Sequence, residues 1–394
     1  MKKLSFFKGL TTNIIILGFV SMLTDLGSQM IFPLIPLFVT GTLAAPAYIV
    51  GLIEGSAEAM TSLLKVFSGY ISDKTHKRKP LILLGYSISS LVKPFFALAN
   101  TWPLVLFIRI TERTGKGMRE APRDAMVAES CAENVRGKAF GFQRAMDGVG
   151  SVIGAILALM LLPILGYEKM FIATIIPGII AVITILLVKE KKQEKAAIKE
   201  QEKLSFKKSF KNLPKKLKYF ILISAIFTLG NYGYAFLLLK AKDLGLTDIK
   251  AIMLYTIFYL TFAIWNMPIG SLSDKIGRKP ILIGGYAIFA ATSLGLMITS
   301  GITGLVICAV GYGMFFSMLD ASQRAFTVDL AEPELKATAL GSFHTAVGLM
   351  ELPAGFIAGI LWETFSPAAT FGWGFALSII AITMFSLIHV KGKA

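Results

Sequence analysis

GYISDKTHKRKP, residues 69–80, and GSLSDKIGRKP, residues 270–280, are near repeats of one another. Gly69 and Gly270 stand 201 positions apart, and Pro80 and Pro280 stand 200 apart. The self-similarity continues downstream. RGKAFGFQRAMDGVGSVIGAIL, from Arg136, aligns with KATALGSFHTAVGLMELPAGFIAGIL, from Lys336, again 200 positions on. Arg123 falls opposite Arg324, at 201. A spacing of this length means two copies of one structural unit.

The surroundings of these charged stretches are apolar. Of 394 residues, 55% are hydrophobic and 16% charged, where a soluble domain carries about 25% charged residues. Apolar runs such as Leu81–Trp102, Phe171–Val188, Tyr219–Leu239, Ile281–Thr299 and Thr370–Val390 have the ~20-residue length that a helix needs to cross a bilayer. No long window alternates strictly, which argues against a β-barrel. Cys131 and Cys308 supply neither a disulfide framework nor a metal spacing. MKKLSFFKGL opens like a signal peptide, but its apolar run continues past Asp25 to Val39 without a small-residue cleavage site, so a retained first span is expected.

The runs predict twelve spans, at 11–40, 47–71, 80–100, 103–128, 137–165, 168–188, 218–240, 249–272, 280–299, 303–328, 337–362 and 367–389. The expected fold is an all-α integral membrane protein with 12 transmembrane helices in two pseudo-symmetric six-helix bundles, residues 1–188 and 218–394, joined by a lysine-rich linker at 189–217. Both repeated stretches fall between the second and third span of their half. From Lys189 to Lys218, 12 lysines face four glutamates. With Lys2, Lys3, Lys8 and the two repeated turns, they make one side positive, while GTLAAPA, ANTWP and TSGITG on the other carry no charge. The positive-inside rule makes the basic side cytoplasmic and places both termini there. The net charge of +16 is then mostly topology, and no nucleic-acid partner is expected. Parallel repeats of six spans suit a carrier whose halves rock about a midplane site.

Charged side chains inside spans cost about 2.5–3.5 kcal/mol each on insertion scales, so each is a functional candidate. Asp25 lies near mid-depth of the first span, with Gln29 one turn on. Glu54 and Glu58 share a face of the second. Arg109, Arg113, Lys116, Arg119 and Arg123 recur every three or four residues along the fourth, beside Glu112 and Asp124. Asp147 and Arg144 in the fifth span are candidate partners for this basic stripe, as are Glu54, Glu58 and Asp25. The second half has Asp320 and Arg324 in the tenth span, Glu351 in the eleventh, and Asn231, Tyr232, Tyr234, Tyr255 and Tyr259. A first half that titrates and a second half that shapes the substrate pocket follow as an expectation. Asp25 and Glu58 are the first candidates for the proton carrier, tuned by Arg109 and Arg113. The alternative is a static ion-pair network holding helix register.

These stretches resemble the motifs of the major facilitator superfamily, and of its twelve-span drug:proton antiporters in particular. The second-to-third turn resembles motif A, most closely in the copy with Gly270, Asp274, Gly277, Arg278 and Lys279. The first copy has Gly69, Asp73, Arg78 and Lys79, with Thr75-His76-Lys77 where the usual glycine would stand. TDLGSQMIFPLIPLF, with Asp25, Pro33 and Pro36, is similar to the first-span motif. RITERTGKG, from Arg109 to Gly117, resembles motif B, and GSVIGA, from Gly150 to Ala155, resembles motif C, with Ser151 and Ala155 as departures. The resemblance implies a gating ion-pair lock at motif A and a secondary transporter working by alternating access.

Two transport readings stay open: proton-coupled export of amphiphilic compounds, and proton-coupled import or facilitated passage of an anionic metabolite, which the basic fourth span favours. No HExxH, GxSxG or Walker-type stretch occurs, so an enzyme or ATP-driven pump is not expected. No cofactor or metal is expected. The expected partners are a small-molecule substrate, protons and the lipid bilayer, with a monomer in the plasma membrane as the working unit. Phe206, Phe210 and Leu213 among the linker lysines predict either an amphipathic helix on the inner leaflet or a solvated tether.

Overall fold

The computed structural model describes residues 10–75, 77–132, 135–190, 213–332 and 335–387. The terminal lysines Lys2, Lys3 and Lys8, His76, and the linker residues Phe206 and Phe210 lie outside the described residues. Every regular element among the described residues is helical. In chain order they are α1 (Thr12–Gln29), α2 (Leu34–Leu37) with a π turn (Phe38–Thr42), α3 (Ala47–Thr75), α4 (Lys79–Leu91) with a 3-10 turn (Lys93–Leu98), and α5 (Trp102–Glu129). Then come α6 (Arg136–Ala173), α7 (Ile175–Leu186), α8 (Lys215–Gly230), α9 (Gly233–Asp243), α10 (Asp248–Ile276), α11 (Arg278–Ile298), α12 (Ile302–Asp329), α13 (Lys336–Thr364) and α14 (Pro367–Ser386).

Three spans are broken where an unbroken helix was expected, and each break has a local cause. The first is interrupted between α1 and α2, at Pro33, which offers no amide hydrogen to the turn before it. The third tightens into a 3-10 turn at Lys93-Pro94. The seventh opens at Asn231-Tyr232, where the Asn231 carboxamide Oδ1 accepts from the Gly233 amide at 3.1 Å. The fifth and sixth spans run together as α6, and the helix is broken within it by a kink at Gly166, which has φ 69° and ψ 176°. By length and apolarity, nine helical stretches among the described residues can cross a membrane, one of them, residues 136–186, being 51 residues long. That stretch is long enough to cross twice, on either side of Gly166. The helices α3 and α5 have the length but carry more charge, and they complete the twelve.

The chain divides into two compact units. One comprises Met1–Ile35 and Leu63–Ala196, the other Pro36–Ser62 and Ala197–Ala394. In the first, Ile14, Leu17, Ile82, Tyr86, Val127, Phe142 and Ile185 form a closed apolar core. Its α6 lies so close to α1 that a Cβ on Gly150 would overlap the Met22 backbone. In the second, aromatic rings fill the interior. Phe227 stacks on Tyr286 at 4.2 Å between centroids, Phe289 meets Phe315 at 4.7 Å, and Phe220 meets Phe326 at 4.8 Å. The first half of α3 belongs to this unit and packs on α13 backbone to backbone, with Gly51 against the carbonyl of Gly355.

Candidate functional site

The repeated turns build the same clamp twice. In the first unit, the Arg78 guanidinium reaches Asp73 at 3.2 Å, the Ser72 hydroxyl at 3.1 Å and both oxygens of Glu129, at 2.9 and 2.5 Å. Lys79 Nζ donates to the Leu186 carbonyl at 2.9 Å. In the second unit, Arg278 pairs with Asp274, donates to Ser273 Oγ at 3.1 Å and faces Asp329 at 3.6 Å. Lys279 Nζ donates to the Ser386 carbonyl at 3.2 Å. Both lysines therefore place a cation at a helix C-terminus, where the peptide dipoles favour it. Burial alone would loosen the proton of Arg78. The hydrogen-bonded charge of Glu129, with that of Asp73, outweighs it and holds the guanidinium above its usual pKa.

The two turns differ by one residue, and the backbone explains why. The second turns at Gly277, with φ 93° and ψ 158°, a conformation that residues with a Cβ essentially never adopt. The first has an extra residue in Thr75-His76-Lys77 instead, so Asp73 and Asp274 are offset by 201 but Arg78 and Arg278 by 200. Gly69 brings α3 close to α5, a Cβ there lying 3.3 Å from that of Ala121. Gly270 takes the corresponding place in α10.

The first unit also holds a network of buried charge along α5. Arg109 reaches Glu112 at 3.1 Å and Arg113 reaches the same oxygen at 3.5 Å. Both guanidiniums lie over the Phe32 ring, at 4.0 and 4.6 Å. Arg119 donates to Ser89 Oγ at 2.5 Å and lies over Tyr86 at 4.4 Å. Arg123 donates to Ser21 Oγ at 2.9 Å and forks onto Asp124 at 3.1 and 2.9 Å. Glu120 joins Lys65 at 2.9 Å and Lys116 at 3.9 Å. These five α5 cations were expected to face Asp25, Glu54, Glu58 or Asp147. Carboxylates of α5 itself also serve them: three- and four-residue spacings bring Arg109 to Glu112 and Lys116 to Glu120 on one face of the helix, and the long guanidinium arms of Arg113 and Arg123 reach their neighbours Glu112 and Asp124.

Asp25 is partly buried on α1, and the charges that act on it are Asp147, Lys116, Arg119 and Arg123. Asp147 accepts from the Gln143 amide at 3.3 Å and faces Arg144 at 4.0 Å. Gln29 is buried where α6 crosses α1, against Gly154. Lys93 escaped the sequence reading. It is 1% exposed and donates to the Thr24 carbonyl at 3.1 Å, beside Asp25 in the chain. A Lys-Pro pair inside the apolar run Leu81–Trp102 was the available signal. Arg109, Arg113, Arg119, Arg123 and Lys93 are each at most 6% exposed, and Glu112 is 0% exposed. Asp25, Glu120, Asp124 and Asp147 of the same unit are partly exposed.

The remaining candidates lie in the second unit. Asp320 takes the Arg324 guanidinium at 2.9 Å and the Asn266 amide at 3.2 Å. Asn231 Oδ1 accepts from the Tyr312 hydroxyl at 3.3 Å. Tyr232 is buried, bonded through its hydroxyl to Ser293 at 3.1 Å. Tyr255 is buried, with Tyr259 beside it at 4.9 Å between ring centroids. Tyr234 donates its hydroxyl to Glu54 at 3.1 Å. Glu58 lies one turn further along the same partly exposed face of α3, and Glu351 is partly exposed on α13. Glu54 and Glu58 thus group with the second unit rather than with Asp25. Among the described residues no cluster of His, Cys, Asp and Glu has the makings of a metal site.

Comparison with known proteins meets this architecture. The sequence model of the Major Facilitator Superfamily matches residues 17–240 and 219–393. An uncharacterised MFS-type transporter of Methanocaldococcus jannaschii, MJ1317, is 41% identical over 384 residues, 94% of each chain. The multidrug resistance protein MdtH of Photorhabdus laumondii is 32% identical over 145 residues, 36% of each chain. The crystal structure of the nucleoside transporter NupG superposes with a TM-score of 0.76 at 15% identity, over 96% of this chain and 100% of that one, a likeness of fold alone. Repeated turns, twelve helical spans and a match along nearly the whole length lead to one conclusion: the chain belongs to the major facilitator superfamily, and is a multi-pass membrane transporter rather than an enzyme.

Proposed function

We propose that the transporter couples inward proton movement to the export of amphiphilic small molecules across the plasma membrane, as a monomer with both termini cytoplasmic. The observation that carries this reading is Asp25, a carboxylate at mid-depth with Asp147, Lys116, Arg119 and Arg123 acting on it. A carboxylate balanced between a like charge and several cations exchanges a proton when that balance changes, and a rocking carrier changes it each cycle. The partial likeness to a multidrug resistance protein supports the direction and substrate class. The two repeats, residues 1–188 and 218–394, act as the rocking halves, with residues 36–62 of the first grouped with the second unit in this state, and the Arg78 and Arg278 clamps act as locks made in one state and released in the other.

The test uses purified protein in liposomes with a pH dye inside, an imposed pH gradient, and pools of lipophilic cations or organic anions. Collapse of the gradient by cations, abolished in Asp25→Asn, is the expected result. Unaffected flux in Asp25→Asn overturns the role of Asp25. A second reading, passage of an anionic metabolite, is favoured by Arg119, which is buried with no hydrogen-bond partner at Nε among the described residues. Gradient collapse by anions alone, dependent on Arg119, establishes that reading instead.

A further inference from the structure

The second unit brings together four side chains that the sequence separates by up to 205 positions: Glu54 of α3, Tyr234 of α9, and Tyr255 and Tyr259 of α10. The Tyr234 hydroxyl donates to Glu54 Oε2 at 3.1 Å. Its ring meets Tyr255 edge-on at 5.1 Å, and Tyr255 meets Tyr259 at 4.9 Å. Tyr255 is 1% exposed and backed by Phe258 at 5.8 Å, so it is held from behind. Glu54, Tyr234 and Tyr259 are half-buried, so they stand at the accessible edge of this cluster. The adjoining strip of α3, with Gly51 one turn before Glu54, is pressed on Gly355 of α13, which fixes the rotation of the helix and hence the direction of Glu54.

A carboxylate beside stacked tyrosines has a specific chemistry. The carboxylate attracts a cation, and the electron-rich ring faces attract it too, while their apolar area accepts the organic body around the charge. An anion meets repulsion from both. Sequence reading set Glu54 among the buried charges of a titrating first half and the tyrosines in the pocket, but their junction assigns them one task. We infer that Glu54, with Tyr234, Tyr255 and Tyr259, forms a recognition site for organic monocations with aromatic or bulky apolar groups, Glu54 reading the charge of the substrate and not carrying the proton. This rests on the reading of the chain as an exporter of amphiphilic compounds and adds the sign of charge that its substrate bears.

A bland role for Glu54, as a hydrogen-bonded tie between α3 and α9, is separated by one substitution. Glu54→Gln keeps an oxygen to accept from Tyr234 and removes the charge. The assay is equilibrium binding to the purified full-length protein of tetraphenylphosphonium and of tetraphenylborate, two ions of one shape and opposite charge. The wild type is expected to bind the cation more tightly than the anion. Glu54→Gln weakens the cation at least tenfold and does not weaken the anion, with a melting temperature close to wild type. Tyr259→Leu, at a half-exposed position, weakens the cation about fivefold.

Unchanged cation binding in Glu54→Gln, equal loss of both ions, or a wild type that prefers the anion overturns the inference. If Glu54→Gln does not fold, Tyr259→Leu decides the matter in the same way. The underlying reading fails separately. Tetraphenylphosphonium that binds through Glu54 but moves no protons in liposomes leaves the site standing and removes the export assignment.

Discussion

Glu112→Gln is the sharpest probe of the buried network in the first unit. The substitution preserves shape and removes one negative charge. Arg109, 0% exposed, and Arg113, 2% exposed, are left without the carboxylate they share. Their contacts with the Phe32 ring exist in both proteins and cancel in the comparison. Breaking a buried ion pair by deleting one partner costs about 3–5 kcal/mol. At about 2 °C per kcal/mol, the lower end for large domains, the melting temperature falls on the order of 6–10 °C. A thiol-reactive dye is a suitable reporter, because Cys308 is 5% exposed in the folded chain and becomes reactive on unfolding. The double variant Glu112→Gln/Arg109→Met removes one of the two guanidiniums that shared Glu112 and should recover about half the loss. A single variant that melts within 2 °C of wild type, or a double variant no better than the single, refutes the view that these guanidiniums depend on Glu112.

Three further outcomes follow from the packing. Gly150→Ala forces a methyl onto the Met22 backbone and should destabilise by about 1–3 kcal/mol, whereas Gly148→Ala, with open space around it, should stabilise by up to about 1 kcal/mol; melting curves of the two compare them directly. Ser89→Ala removes the acceptor of a buried arginine and should cost about 1–3 kcal/mol, read in the same assay. Arg78→Ala should impair folding yield and transport more than Arg278→Ala, since Arg78 forks onto Glu129 at 2.9 and 2.5 Å while Arg278 stands 3.6 Å from Asp329; equal effects, measured by liposome flux per folded molecule, count against the geometric difference.

The twelve spans were legible because bilayer thickness and helix rise dictate their length, and the repeat was legible because charged turns stand out in apolar surroundings. The facing of Arg78 to Asp73 and of Arg278 to Asp274 was legible for the same reason: the partners lie within five residues of each other. Partners far apart in sequence were not. Lys65 with Glu120 and Tyr234 with Glu54 depend on how two helices rotate about their axes, which one sequence does not specify. The basic stripe of α5 was read as a face looking for distant carboxylates. It finds Glu112 on its own helix, a pair that three-residue spacing made visible and that the search for a functional partner passed over. Lys93 hid because one charge hardly lowers the average of a long apolar run. The breaks at Asn231 and Lys93-Pro94 were marked by Gly and Pro, but such marks do not tell a kink from a tolerated residue.

The paired clamps also record what happened after the chain was doubled. The side-chain contacts of the clamp arginine and lysine in one copy have counterparts in the other, down to a lysine that reaches a carbonyl 107 residues ahead of it in both. Against that constancy two changes stand out: a lengthened turn traded for Gly277, and Glu129 set against Asp329, one methylene shorter. The molecule thus contains its own replicate, and the divergence between copies is a natural substitution series at fixed geometry. Exchanging Glu129 with Asp329, or one turn with the other, asks whether the duplicated ends have kept one task or have begun to specialise, with the unaltered copy as the control inside the same chain.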